Sequence, residues 1–186
     1  MGGEEGDQLV IELPGGGSLG YAGFGDPDGV PCFAFHGQSS SRLMPGWMFP
    51  PELLTAAGVR MIGVDRSGYG LSTVDSAAHF ADWPRAVGAL ADHLGLGRFA
   101  VMAHSLGSAY ALACGPALGD RLAVIVIASG MGPLRPGERV HSGNRVEDLY
   151  WRLARRQAGW LLNPLCRLSG TMVPDEAHSG FSSQLA

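Results

Sequence analysis

Apolar residues are grouped along this chain in two rhythms. The first is the short, mainly apolar run: Val30–Phe35, Val59–Val64, residues 98–103 and Leu122–Ala128. Runs of this length, bounded by glycine or polar clusters, predict strands, and the continuous β-branched run Leu122–Ala128 predicts one covered on both faces. Two weaker stretches, residues 8–13 and 18–24, precede them, separated by Pro14-Gly15-Gly16-Gly17. That turn predicts an antiparallel hairpin. No helical pattern follows it, so it is a poor phosphate loop. The second rhythm is helical. Residues 50–57 predict a short helix closed by Gly58. Trp83, Val87, Leu90, Ala91 and Leu94 share one face of another, with Asp82 as its N-cap, Pro84 in its first turn and Gly95 closing it. Small and apolar residues at helical spacing fill 105–118. A hairpin followed by strand–helix alternation predicts an α/β fold of about six strands, the first two antiparallel and the rest parallel, with flanking helices.

Each buried run ends in a polar or glycine-rich loop. These are His36-Gly37-Gln38-Ser39-Ser40-Ser41-Arg42, Asp65-Arg66-Ser67-Gly68-Tyr69-Gly70-Leu71-Ser72, His104-Ser105-Leu106-Gly107 and Ser129-Gly130. Sites in parallel sheets lie beyond the carboxyl ends of the strands, so topology brings the four loops together. Ala103-x-Ser105-x-Gly107 has the form of a strand–turn–helix elbow with a serine at its apex. Such a turn holds the serine at strained backbone angles and brings its flanking residues close, so both must be small. The alternative is a serine capping a helix after a buried strand. Free N–H groups in the loop after Phe35 would suit a developing oxyanion. The alternative there is an ordinary polar loop with a packed or capping His36. Asp65 is expected to tie its own loop by accepting backbone N–H bonds.

Composition narrows the picture. The 186 residues predict one main domain, and 46% hydrophobic with 16% charged residues predicts a soluble globular chain. A net charge of −4 argues against nucleic acid as a partner. Cys32, Cys114 and Cys166 lack metal-ligand spacing and read as buried free thiols in a reducing compartment. The acidic N-terminal residues do not read as a signal peptide, and the longest apolar run, Leu122–Ala128, is too short to span a bilayer. A cytoplasmic location is therefore expected. The last quarter changes character. Residues 132–141 read as loop, and 145–158 and 160–168 as amphipathic helices, a lid over the site in preference to a membrane-surface helix. The expected division is a core over 1–132, a partial cap over 133–168 and a loose tail over 169–186.

The four loops, in this order and spacing, resemble the α/β-hydrolase superfamily. The likeness is closest to its esterase- and peptidase-like branch with a helical cap after the sixth strand. The Asp65–Ser72 stretch is similar to that family's D-R-x-G-x-G-x-S, and the resemblance covers about residues 9–168. It implies that Ser105 is a nucleophile forming an acyl-enzyme with a small acyl substrate. It also implies that the N–H groups of Gln38 and Leu106 form an oxyanion hole. His36 and Gly37 would shape that loop, Ala103 and Gly107 the elbow, and His104 would be structural. No cofactor and no metal are implied. Serine in place of aspartate at the elbow disfavours the dehalogenase and epoxide-hydrolase branches.

One part of the family pattern is missing. Its triad runs Ser, then Asp or Glu, then His. After Ser105 the acids are Asp120, Glu138, Glu147, Asp148, Asp175 and Glu176, and the histidines are His141 and His178. None follows a predicted strand. Asp148 with His178 has the right order but falls in the cap and tail segments. The expectation is a truncated serine hydrolase acting weakly or not at all on an ester, amide or lactone. The alternatives are a non-catalytic hydrolase-like binding module, or a cofactor-free lyase or oxygenase on the same scaffold. Without further strands, Leu122–Ala128 becomes an apolar, uncharged edge suited to self-association.

Overall fold

The computed structural model of the chain describes residues 9–75 and 79–132, and beyond them positions 145, 148, 149 and 152. The chain divides into two units, Met1–Pro133 and Leu134–Ala186. Every element below belongs to the first. The expected cap and tail lie outside the described residues apart from those four positions.

Strands β1 (Leu9–Glu12), β2 (Ser18–Gly25), β3 (Val30–Phe35), β4 (Val59–Val64), β5 (Phe99–His104) and β6 (Leu122–Ala128) form one sheet in the order β1-β2-β4-β3-β5-β6. β1 pairs antiparallel with β2, and β2 antiparallel with β4. The pairs β3–β4, β3–β5 and β5–β6 are parallel. This is the mixed sheet that the two rhythms predict.

Alternation along the strands divides the core between two faces. Phe33, Phe35, Ile62, Val64, Phe99 and Val101 pack with α3 (Trp83–His93) and α4 (Gly107–Leu118) through Trp83, Val87, Leu90, Ala111 and Cys114. On the other face Ala34, Met61 and Met102 meet Met44 of α1 (Met44–Met48) and Leu54 of α2 (Pro51–Ala56). Phe33 and Phe99 stack edge to face at 4.9 Å, and Phe35 and Trp83 at 5.4 Å. Each large side chain buried this way contributes about 1.5–3 kcal/mol. Cys32 and Cys114 are free thiols, and burial pushes their pKa up to about 11 and about 12, so both are protonated and unreactive. Cys166 lies outside the described residues.

Three details depart from the sequence reading. Helix α1 was not anticipated, because a helix this short leaves no periodic signal. Asp82 stands at the N-cap of α3, with Pro84 in the first turn, but its side chain makes no capping bond there. It belongs to a preceding 3₁₀ turn, Phe80–Asp82, where its carboxylate accepts the His79 N–H at 3.0 Å and pairs with Arg85. Nor is β6 covered on both faces: Val124 and Val126 are about half exposed, at 52% and 50%. It is the outermost described strand beyond β5; Leu122 and Ile125 pack on the core that α3 and α4 share, and a Cβ on Gly115 of α4 would lie 3.8 Å from Ile125 Cδ1.

Candidate active site

The carboxyl ends of β3, β4, β5 and β6 meet in one place, as the topology predicts. Ser105 follows β5 with φ of +52°, a left-handed conformation costly for a residue with a side chain. Its backbone is tied on both sides. The Ser105 N–H donates to Ala128 O of β6 at 3.1 Å, and its carbonyl accepts from the Ser108 N–H at 3.1 Å, the Ser108 hydroxyl at 2.7 Å and the Met131 N–H at 3.4 Å. The Met131 N–H also donates to Ser108 Oγ at 3.0 Å. By contrast, the half-buried Ser105 hydroxyl makes no hydrogen bond among the described residues. The elbow is thus a locked backbone carrying an uncommitted oxygen.

Small flanking residues permit this approach. Ala103 is fully buried. A Cβ on Gly107 would collide with the Phe35 carbonyl oxygen and lie 3.0 Å from that of His36, so the start of α4 rests directly on the end of β3. A Cβ on Gly37 would stand 3.1 Å from Ser105 Cβ and 3.2 Å from His104 Nδ1. The loop after β3 therefore runs against the elbow. Gln38 follows at the surface, then Ser39 at φ +55°. Among the described residues neither the Gln38 nor the Leu106 N–H is taken up by an acceptor.

His36 is buried, and both of its ring nitrogens are engaged. The Arg66 N–H donates to Nε2 at 3.2 Å, so Nε2 carries a lone pair and Nδ1 carries the proton that bonds Gly37 O at 2.8 Å. Burial, reinforced by the nearby Arg66 charge, pushes the imidazole pKa down to about 4, against the Gly37 bond and Asp65, which raise it. His36 is thus a neutral strut between two loops, with no free nitrogen to act as a base.

Asp65 behaves as expected and does more. Its carboxylate accepts the N–H of Arg42 at 2.7 Å and of Leu71 at 2.9 Å, and pairs with the buried Arg42 guanidinium at 2.9 Å. The Arg42 pairing was not legible, since 23 residues separate the two. Sequence reasoning also passed over Ser108, one helical turn beyond Ser105, although that spacing is itself the signal for a side chain reaching back to the elbow. Arg66 and Tyr110 were missed as well. The Arg66 guanidinium is buried over the rings of Tyr69 and Tyr110, at 4.4 and 5.1 Å from their centres.

Among the described residues no group of three or more His, Cys, Asp or Glu could hold a metal ion, and no helix is long and apolar enough to cross a membrane. A groove of about 340 Å³ lined by Pro14, Pro84, Gly88, Ala117 and Leu118 lies on the α3–α4 flank. It opens at the far end of α4, about 18 Å along the helix from Ser105, and takes no part in this arrangement. His141, His178 and most of the later acids lie outside the described residues.

Comparison with known proteins gives the family and the fold. Residues 33–184 match the model of the alpha/beta hydrolase family, and the chain belongs to that family. A search of curated proteins returns no match. Among solved structures, a thermophilic esterase from Thermogutta terrifontis is 26% identical, with a TM-score of 0.60, covering 72% of this chain and 49% of that one. A hydrolase from Pseudomonas aeruginosa is 22% identical, with a TM-score of 0.63, covering 70% and 49%. An epoxide hydrolase from Vigna radiata is 21% identical, with a TM-score of 0.56, covering 74% and 44%. The chain therefore spans about half the length of these structures.

Proposed function

We propose that this chain supplies the nucleophile, Ser105, of a serine hydrolase acting on an ester, amide or lactone. Ser105 Oγ attacks the acyl carbon, its proton passes to a base that is not among the described residues, and the carbonyl oxygen becomes an oxyanion facing the Gln38 and Leu106 N–H groups. Collapse expels the alcohol or amine with a proton and leaves an acyl-enzyme, which water then hydrolyses. The observation that carries this reading is Ser105 itself: a side-chain-bearing residue at φ +52°, its backbone fully bonded and its hydroxyl unbonded. A serine at this position favours acyl transfer over epoxide opening, which in this family uses a carboxylate nucleophile, although solved neighbours include both esterases and epoxide hydrolases.

A second reading, a non-catalytic binding module, is favoured by one fact. No base lies within hydrogen-bond reach of Ser105 Oγ among the described residues. An unassisted serine is a poor nucleophile at neutral pH, and an oxyanion hole alone leaves catalysis orders of magnitude lower. Covalent labelling by a fluorophosphonate separates the two. The hydrolase reading expects a stoichiometric adduct on the wild-type chain and none on Ser105→Ala. No adduct on the wild type, with no burst from an activated ester, leaves the binding module standing.

A further inference from the structure

We propose that Arg66 is a positioning residue for the oxyanion-binding peptide: its guanidinium grips the Gly37 carbonyl and thereby aims the Gln38 N–H. This rests on the hydrolase reading above for its catalytic consequence, but the geometry behind it is independent of that reading.

The Gly37 carbonyl oxygen accepts two hydrogen bonds from buried donors, His36 Nδ1 at 2.8 Å and Arg66 Nη2 at 2.9 Å. Arg66 and His36 are also joined to each other through the Arg66 N–H and His36 Nε2. The three residues close a small ring of bonds behind the end of β3. In a trans peptide the C=O and the following N–H point in opposite directions. Pinning the Gly37 oxygen inward therefore turns the Gln38 N–H away from the His36–Arg66 pair; Gly37 abuts Ser105, and Gln38 is exposed. Two donors on one carbonyl also draw electron density toward its oxygen, which makes the N–H of the same peptide a stronger donor.

The surroundings of Arg66 suit that task. The residue is 2% exposed, and its charge faces no carboxylate partner among the described residues, because the neighbouring Asp65 pairs with Arg42. Its cation is instead compensated by the Gly37 carbonyl, by the Tyr69 and Tyr110 rings, and by the Tyr110 hydroxyl, which accepts from Nη1 at 3.4 Å. Its Nε is buried without a partner. A buried cation with an orphaned N–H is an expensive way to hold a loop that an apolar side chain could also fill. What an apolar side chain cannot do is orient the peptide dipole at Gly37–Gln38.

The test compares the wild-type chain with Arg66→Met and Arg66→Lys. Lys retains the charge and one donor for Gly37 O but not the planar fork. Two readouts are taken: the amide 15N resonance of Gln38, and the hydrolysis of an activated ester. Arg66→Met is expected to move the Gln38 resonance more than those of the other amides in the loop after β3. It should lower kcat about ten- to hundredfold with KM nearly unchanged, and Arg66→Lys should recover part of both. Should Arg66→Met fail to fold, Arg66→Lys against the wild type carries the comparison, with a smaller displacement in the same direction. A Gln38 resonance that stays in place overturns the positioning role, whatever happens to turnover. A rise in KM at constant kcat overturns it too, since that marks altered binding alone. If the wild type neither hydrolyses the ester nor takes the fluorophosphonate, the hydrolase reading fails, and the Gln38 resonance alone then decides whether Arg66 sets the peptide.

Discussion

The loops after β4 and β5 each open on a polar residue at the carboxyl end of the sheet, and they treat it in opposite ways. Asp65 is fully buried and both carboxylate oxygens are occupied, by Arg42 and by the Leu71 N–H. A Cβ on Gly70 would collide with that carboxylate, so the loop is wrapped around it. At Ser105 the backbone takes up the bonds and the hydroxyl takes none. One loop uses a side chain to stabilise a backbone; the other uses a strained backbone to present a side chain. The contrast separates a polar group whose bonding capacity is spent from one whose capacity is not. A satisfied group has nothing left to offer a ligand, whereas an unsatisfied group on a strained, over-determined backbone does.

The largest test of that contrast is Asp65→Ala. It strands the buried Arg42 guanidinium, and removing one partner of a buried ion pair costs about 3–5 kcal/mol. Urea denaturation should show a loss of that order, while Ser105→Ala leaves the midpoint nearly unchanged. If Asp65→Ala stays within about 1 kcal/mol of the wild type, Asp65 is not the structural pole of the comparison.

A second test uses pH. His36 titrates near 6.5 in the unfolded chain and is held down to about 4 in the folded one. As pH falls below about 6.5 the unfolded chain takes up a proton that the folded chain refuses until about 4. The contribution is thus fully present above that window and lost through it, up to roughly 3 kcal/mol. Carboxylates titrate nearby, so the measurement is the difference between the wild type and His36→Gln. The variant should be less stable at pH 7 yet lose less between pH 7 and pH 4.5. Parallel pH profiles would mean that His36 is not the neutral strut between the two loops.

What the sequence made legible follows from range. Each β-strand declared itself by a continuous or alternating run, and the elbow by small residues on both sides of Ser105. The loop-tying role of Asp65 could be read because Leu71, one of its donors, lies in the same stretch. The long-range half could not. Nothing near Arg42 announces that it reaches Asp65, and nothing near Arg66 announces that it grips Gly37. Asp82 marked the N-cap position of α3 correctly, but its side chain serves the preceding 3₁₀ turn at Phe80, which no local pattern announced. The apolar run of β6 specified a strand but not its coverage, which depends on what packs beside it.

The smallest expected effect probes the strained pole directly. At φ +52° a glycine is unstrained and a residue with a Cβ is not. Serine and alanine bear the same penalty there, so Ser105→Ala removes the hydroxyl while leaving the strain. Ser105→Gly removes both, although its more flexible unfolded chain offsets part of the gain. The glycine variant should therefore be the more stable of the two by about 0.5–1 kcal/mol in urea, and neither should take a fluorophosphonate. Because both variants lack the hydroxyl, their difference isolates the backbone from the chemistry. A glycine variant no more stable than the alanine one would mean that the elbow stores no strain. Ser105 would then differ from Asp65 only in having no partner, a much weaker sign of function.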